Sequence, residues 1–180
     1  MIVENELSLP QTIEEFRNWD SNIGYKYEWF NDELIKFSGL RTSELYIYFN
    51  LSRNFVEQQL HKIGCLVCKQ DVDLSPMQMR RPDIAFFTKG QGKNMKEDVD
   101  EVPQFAVEII SKNDNFNNVK AKLEEYFKYG VMVVWIIIPE LKKIKVYNSL
   151  KENKNCFDND ICSANSVLPE FEMTVNQIFA

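Results

Sequence analysis

Two acidic residues interrupt apolar, strand-like runs in this chain. Asp83 stands in Arg80-Arg81-Pro82-Asp83-Ile84-Ala85-Phe86-Phe87, and Glu108 in Pro103-Gln104-Phe105-Ala106-Val107-Glu108-Ile109-Ile110. An ionised carboxylate among Ile, Val, Phe and Ala is expensive unless a cation or a hydrogen-bond network compensates it. Phosphodiester hydrolysis needs charge stabilisation of a pentacovalent transition state, a water near its deprotonated form, and help for the departing oxygen. Bound magnesium can supply all three. Hard cations take oxygen ligands, commonly one or two carboxylates with the remainder water and phosphate. Asp83 and Glu108 meet that need; the plainer alternative is two acids at the edges of ordinary sheet ladders.

Lys112, Lys120, Lys122 and Lys128 surround the helix expected after Glu108. Lys122 lies one residue before Leu123 and four before Tyr126, at the margin of that helix's apolar stripe. A long lysine there can extend its ammonium toward a carboxylate site, although a solvated lysine is the simpler reading. Arg80 and Arg81 can contact phosphate, pair with the acids, or stand solvated at a strand entrance. His61, the only histidine, falls near a helix end, where the helix dipole or solvent accounts for it better than catalysis. No Ser-His-Asp triad can be built on another histidine, and there is no glycine-rich phosphate loop. Ser111 suits a cap and is assigned no chemistry.

The elements that must position these residues are legible in outline. Thr12-Ile13-Glu14-Glu15 has the form of a capping box, so a short helix to about Asp20 should follow. Tyr25 to Phe30 and Glu33 to Phe37, joined by Asn31-Asp32, read as a β-hairpin. Leu45, Tyr48, Leu51, Phe55, Val56 and Leu60 recur at three- to five-residue steps, which predicts one long helix from Thr42 to Lys62, ended by Gly64. Strands are expected from Cys65 to about Val72 and from Asp83 to Thr88, separated by a loop containing Ser75-Pro76. Lys89 to Glu101 is polar and without periodicity, so it reads as a surface loop. After the Phe105 to Ile110 strand, Val119, Leu123, Tyr126 and Phe127 form the apolar stripe of a helix over Asn117 to Tyr129, stopped by Gly130. Met132 to Ile138 reads as a strand buried on both faces, and strand-helix-strand puts two parallel strands at the sheet centre. Lys143 to Tyr147 should pair antiparallel with it, Lys151 to Asp160 reads as a polar loop, and Thr174 to Phe179 as a short terminal helix.

The chain of 180 residues, 44% hydrophobic, suits one domain over 1–180. No apolar run approaches the roughly 18 residues that span a bilayer, and the start lacks the form of a signal peptide, so a cytoplasmic protein without a membrane partner is expected. A net charge of −6 argues against a broad nucleic-acid-coating surface but leaves room for a local basic cleft or a metal-reversed field. Of the four cysteines, Cys65 and Cys68 have a Cys-x-x-Cys spacing compatible with zinc or redox chemistry; their apolar run favours buried thiols. Cys156 and Cys162 do not complete a second such motif.

Tyr27-Glu28-Trp29, Pro82-Asp83, Val107-Glu108-Ile109-Ile110-Ser111, Lys122 to Tyr126, Gly130-Val131, Trp135 and Leu168-Pro169-Glu170-Phe171 occur in an order that resembles the bacterial Uma-two family, described as putative restriction endonucleases, over nearly the whole chain. That family looks like the PD-(D/E)XK nuclease superfamily. The resemblance implies an α/β (α+β mixed), restriction-endonuclease-like core: a mixed central β-sheet flanked by helices, here with an N-terminal β-hairpin. It further implies an endonuclease that hydrolyses DNA with Mg2+ or Mn2+, in which Asp83 and Glu108 bind metal. The superfamily lysine two positions after the glutamate is replaced by Ile110, and the resemblance implies that Lys122 substitutes for it in space. Glu28 matches the glutamate of the family's early hairpin and is a further candidate metal ligand. Glu44 stands where many members carry histidine, and Asn31-Asp32 replaces the usual Asp-Gly turn. Two other readings stand beside this one: a catalytically silent DNA- or protein-binding relative, and a structural homodimer whose exposed aromatics, such as Trp29 and Phe30, face a partner.

Overall fold

A computed structural model of the chain describes residues 9–19, 26–30, 32–37, 42–110 and 116–180. In chain order the elements are α1 (Ile13–Arg17), β1 (Lys26–Phe30), β2 (Glu33–Phe37), α2 (Thr42–Glu57), β3 (Gly64–Cys68), β4 (Val72–Ser75), β5 (Gln78–Arg80), β6 (Ile84–Thr88), α3 (Lys89–Lys96), β7 (Phe105–Ile109), α4 (Phe116–Lys128), β8 (Val133–Ile138), β9 (Lys143–Tyr147), β10 (Asn153–Phe157), β11 (Ile161–Ser163), β12 (Glu172–Thr174) and α5 (Val175–Ile178). Asn31, Ser111 and Lys112 lie outside the described residues.

The longest apolar runs form the middle of a six-stranded mixed sheet ordered β10-β9-β8-β7-β6-β3. β7 and β8 pair in parallel, with α4 as the crossover between them, and every other neighbouring pair is antiparallel. Because side chains alternate across a strand, the sheet has two apolar faces. One carries Ile84, Phe86, Phe105, Val107 and Trp135, packed with Leu51 and Phe55 of α2 and with Phe171 near the C-terminus. The other carries Ala85, Phe87, Ala106, Val134 and Ile136 and is covered by Leu123 and Tyr126 of α4. A second sheet, ordered β2-β1-β5-β4, joins the N-terminal hairpin to the β4-β5 hairpin, and Tyr27, Trp29 and Met79 bury there against Ile13 and Phe16 of α1. β11 and β12 form a third, two-stranded sheet. Among the described residues no helix is long and apolar enough to cross a membrane.

Several expected boundaries shift for identifiable reasons. The long helix ends at Glu57, because Gln59 enters the left-handed region (φ 58) and a short 3-10 turn over Leu60–Lys62 leads to Gly64. A Cβ at Gly64 would overlap the Phe87 carbonyl oxygen and the Phe86 ring, so glycine permits the close approach of β3 to β6. The expected strand from Cys65 to Val72 is two strands, broken where Lys69 takes φ 52. The loop around Ser75-Pro76 is the tight turn of the β4-β5 hairpin.

Lys89 to Glu101 is not a plain loop, since it contains α3. That helix buries no residue and so lacks apolar periodicity; it starts on a capping box in which Gln91 N donates to Thr88 Oγ1 (3.2 Å) and Thr88 N to Gln91 Oε1 (3.0 Å). The segment from Lys151 to Asp160 contains β10, an edge strand of which only Cys156 is buried, and an edge tolerates such polarity. Nor are the thiols of the Cys-x-x-Cys pair both buried: Cys65 is exposed and Cys68 half-buried on the edge strand β3. Trp29 is 1% exposed, which removes it as a surface aromatic for a dimer; the aromatics that are exposed among the described residues are Tyr46 and Phe49 on α2 and Phe157 on β10.

Candidate active site

The acids meet because of strand register. Ile84 of β6 pairs with Val107 of β7, so one antiparallel step further Asp83 stands opposite Glu108. Ala85 and Ala106, two positions away on each strand, belong to the face covered by α4, and alternation puts both carboxylates on that same face. The Ile109 amide donates to Asp83 Oδ2 at 2.9 Å and ties the two strand ends together. Asp83 is 8% exposed and Glu108 4%.

Helix α4 supplies the answering groups. Lys122, Glu125 and Tyr126 lie at i, i+3 and i+4, hence on one helical face. The Lys122 ammonium donates to Glu108 Oε2 at 3.2 Å and to Glu28 Oε1 of β1 at 2.9 Å. The Tyr126 hydroxyl donates to Glu108 Oε1 at 2.6 Å. The second oxygen of Glu28 accepts from Arg80 Nη1 at 3.1 Å, and Arg80 Nε donates to Glu125 Oε2 at 2.6 Å. The Arg80 guanidinium carbon sits 4.3 Å from the centre of the Phe30 ring.

Burial, followed by the charges of Glu108 and Glu28, holds the Tyr126 phenol well above its ordinary range, so it stays protonated and acts as a donor. Burial alone would lower Arg80, but the Glu28 and Glu125 carboxylates outweigh it and the net shift is upward. Arg81 pairs with Asp71 through Nε and through Nη2 (2.7 Å). Both arginines therefore take ion pairs, but with Glu28, Glu125 and Asp71, acids other than the Asp83 and Glu108 expected from the sequence.

The structure thus brings Asp83, Glu108, Lys122 and Glu28 together. His61 is exposed at the 3-10 turn, away from this network. Arg80, Glu125 and Tyr126 complete the cluster, and sequence reasoning took Tyr126 only as core. The signal present is its place four residues after Lys122; Arg80 is marked by its place before Pro82-Asp83, whereas Glu125 carries no local signal, because it meets Arg80 through the second sheet. Among the described residues, and counting each as ionised, Glu28, Asp83, Glu108 and Glu125 set four carboxylates against the two cations Arg80 and Lys122. No group of three or more His, Cys, Asp and Glu side chains forms a ready metal cage among the described residues. The donor set fits a hard dication held by Asp83 and Glu108, with water and phosphate in the remaining positions. A separate cleft of about 810 Å3, lined by Gly130, Met132, Asn148 and Lys154 among others, contains none of these acids.

A mixed sheet with a parallel central pair, helices on both faces and a hairpin packed against one edge of the site defines an α/β protein with a restriction-endonuclease-like core. Residues 13–176 match the family described as "Putative restriction endonuclease" (Uma2), and the chain belongs to that family. Among solved structures, it is similar to one described as "a putative nuclease belonging to DUF820" from Anabaena variabilis ATCC 29413, with a TM-score of 0.79 and 16% identity over 94% of this chain and 98% of that one. At that identity the likeness is one of fold. No curated protein matches the sequence.

Proposed function

We propose that the protein is a metal-dependent endonuclease that hydrolyses phosphodiester bonds in DNA. The observation that carries this reading is the cross-strand pair Asp83 and Glu108 with a lysine from the next helix bonded to one of them. Asp83 and Glu108 would hold Mg2+ or Mn2+; when bound, such an ion supplies a water near its hydroxide form and stabilises charge on the phosphate. Lys122 orients a water beside Glu108 by hydrogen bonding, the task left open by Ile110. Tyr126 fixes the Glu108 carboxylate, since its hydroxyl occupies one oxygen and leaves the other for Lys122. Glu28, an additional candidate ligand on sequence grounds, also anchors Lys122, since its two oxygens accept from Lys122 and Arg80.

The test is metal-dependent cleavage of DNA by wild-type protein and by Asp83→Asn. Cleavage by the wild type alone supports the reading, and equal cleavage by both proteins refutes the role of Asp83. The net charge of −6 and the displaced lysine favour one second reading, a DNA- or protein-binding relative without turnover. Manganese titration separates them: binding that Asp83→Asn removes belongs to an intact site, and no difference between the proteins belongs to the silent relative. A homodimer remains part of the proposal, on a face other than that of Trp29, and sedimentation equilibrium of the full chain measures it.

A further inference from the structure

The chain of buried ion pairs does not stop at the metal-site carboxylates. Lys122 is bound to Glu28, Glu28 to Arg80, and Arg80 to Glu125, which lies on the same helix as Lys122. The side chains of Arg80 and Glu28 are 2% and 0% exposed. Replacing such buried pairs by apolar side chains of similar size is often neutral or stabilising, so stability alone gives no reason for this arrangement. What the arrangement does supply is direction. Arg80 takes one oxygen of Glu28 from the side of the small sheet, and the other is then fixed toward the Lys122 ammonium.

We propose that Arg80 and Glu125 are positioning residues that fix Glu28, and through it hold the Lys122 ammonium at Glu108. The inference builds on the nuclease reading of the site but concerns residues that the reading itself does not need. It makes the second sheet part of the working apparatus, because β1 and β5 deliver Glu28 and Arg80 to the face of α4. Both act through Glu28 and Lys122, to which their ion pairs lead.

The test is the double variant Arg80→Met with Glu125→Gln, which removes one positive and one negative charge together and leaves Glu28 paired with Lys122. The first readout is 15N NMR of lysine ammonium groups in the full chain, with the Lys122 signal assigned by its loss in Lys122→Arg. Wild type should show a slowly exchanging Lys122 signal, and the double variant should lose it while amide signals remote from the site stay in place. A signal that persists unchanged in the variant, or is absent from wild type, overturns the inference.

The second readout is turnover with manganese. Misplacement by about 1 Å can lower a rate on the order of 10²-fold, so kcat should fall by that order while KM for DNA and manganese affinity hold. Unchanged kcat overturns the inference. Absence of cleavage by wild type refutes the nuclease reading instead, and the NMR result then still decides the positioning claim. If the double variant fails to fold, Arg80→Lys provides the same comparison with the charge kept: it should weaken the Lys122 signal, and an unaltered signal again refutes the proposal.

Discussion

Substituting Lys122 by methionine tests the electrostatic logic of the site directly. The lysine side chain is 7% exposed and serves two carboxylates, Glu28 and Glu108, whose side chains are 0% and 6% exposed. Methionine keeps the packing of the stem and removes only the charge. Removing one partner of a buried pair costs about 3–5 kcal/mol. Here each acid retains another donor, Arg80 for Glu28 and Tyr126 for Glu108, so the low end applies, about 3 kcal/mol. The loss of two hydrogen bonds to charged groups, at about 1.5–3 kcal/mol each, gives a consistent figure. With a urea slope of about 1–3 kcal/mol/M, the midpoint should fall by about 1 M or more at constant slope. Adding Glu28→Gln should recover part of the loss, because it removes one of the stranded carboxylates, and the two substitutions should be strongly non-additive. A loss below about 1 kcal/mol, the scale of an exposed pair, would show that Lys122 does not hold these acids in solution. In the same preparation Lys122→Ala should abolish turnover while manganese binding remains, and unchanged turnover would remove the lysine from the mechanism.

Tyr126→Phe deletes the 2.6 Å bond that orients Glu108. Isothermal titration should show manganese affinity reduced about 10–100-fold, as for other lost outer-shell partners of a metal ligand, with the fold retained. Gly64→Ala forces a methyl into the Phe87 carbonyl and Phe86 ring, and thermal unfolding should report a loss of about 2 kcal/mol or more, because backbone cannot yield as a side chain does. Native-state alkylation followed by peptide mapping should label exposed Cys65 first. Burial pushes the Cys68 thiol up to about 11 from 9.0, so at pH 8 it carries about a hundredth of the thiolate of an unperturbed thiol and should react correspondingly slowly. Since that folded value lies above the unfolded one, the stability contributed by Cys68 is complete below about pH 9 and should decline as pH rises toward 11; Cys68→Ala should make the overall alkaline decline shallower, the rest coming from other buried acids such as Cys162 and Tyr126.

What could be read before the structure was local or periodic. Asp83 and Glu108 were visible because a carboxylate inside an apolar run is anomalous, and the parallel β7-β8 pair followed from an apolar stripe between two apolar strands. The family resemblance added Glu28, which no local pattern marks as more than an alternating hairpin residue. Elements without an apolar periodicity stayed hidden: α3, which is held by its capping box, and β10, a polar edge strand. The remainder of the site was hidden for a different reason. Arg80 reaches Glu28 across 52 positions and Glu125 across 45, and only the packing of the second sheet against α4 decides that both arginine contacts are with acids. Exposure is not legible where tertiary cover overrides sequence, as at Trp29, which looks like a surface aromatic of a hairpin and is buried under Phe16.

The central claim is that Asp83 and Glu108 form the metal site of a DNA-cutting enzyme. Its most direct test is incubation of supercoiled plasmid and single-stranded DNA with magnesium or manganese, using wild-type and Asp83→Asn protein purified in parallel. Metal-dependent cleavage is expected from wild type and none from Asp83→Asn. Cleavage that survives the substitution, or that proceeds equally with the metal chelated, would contradict it.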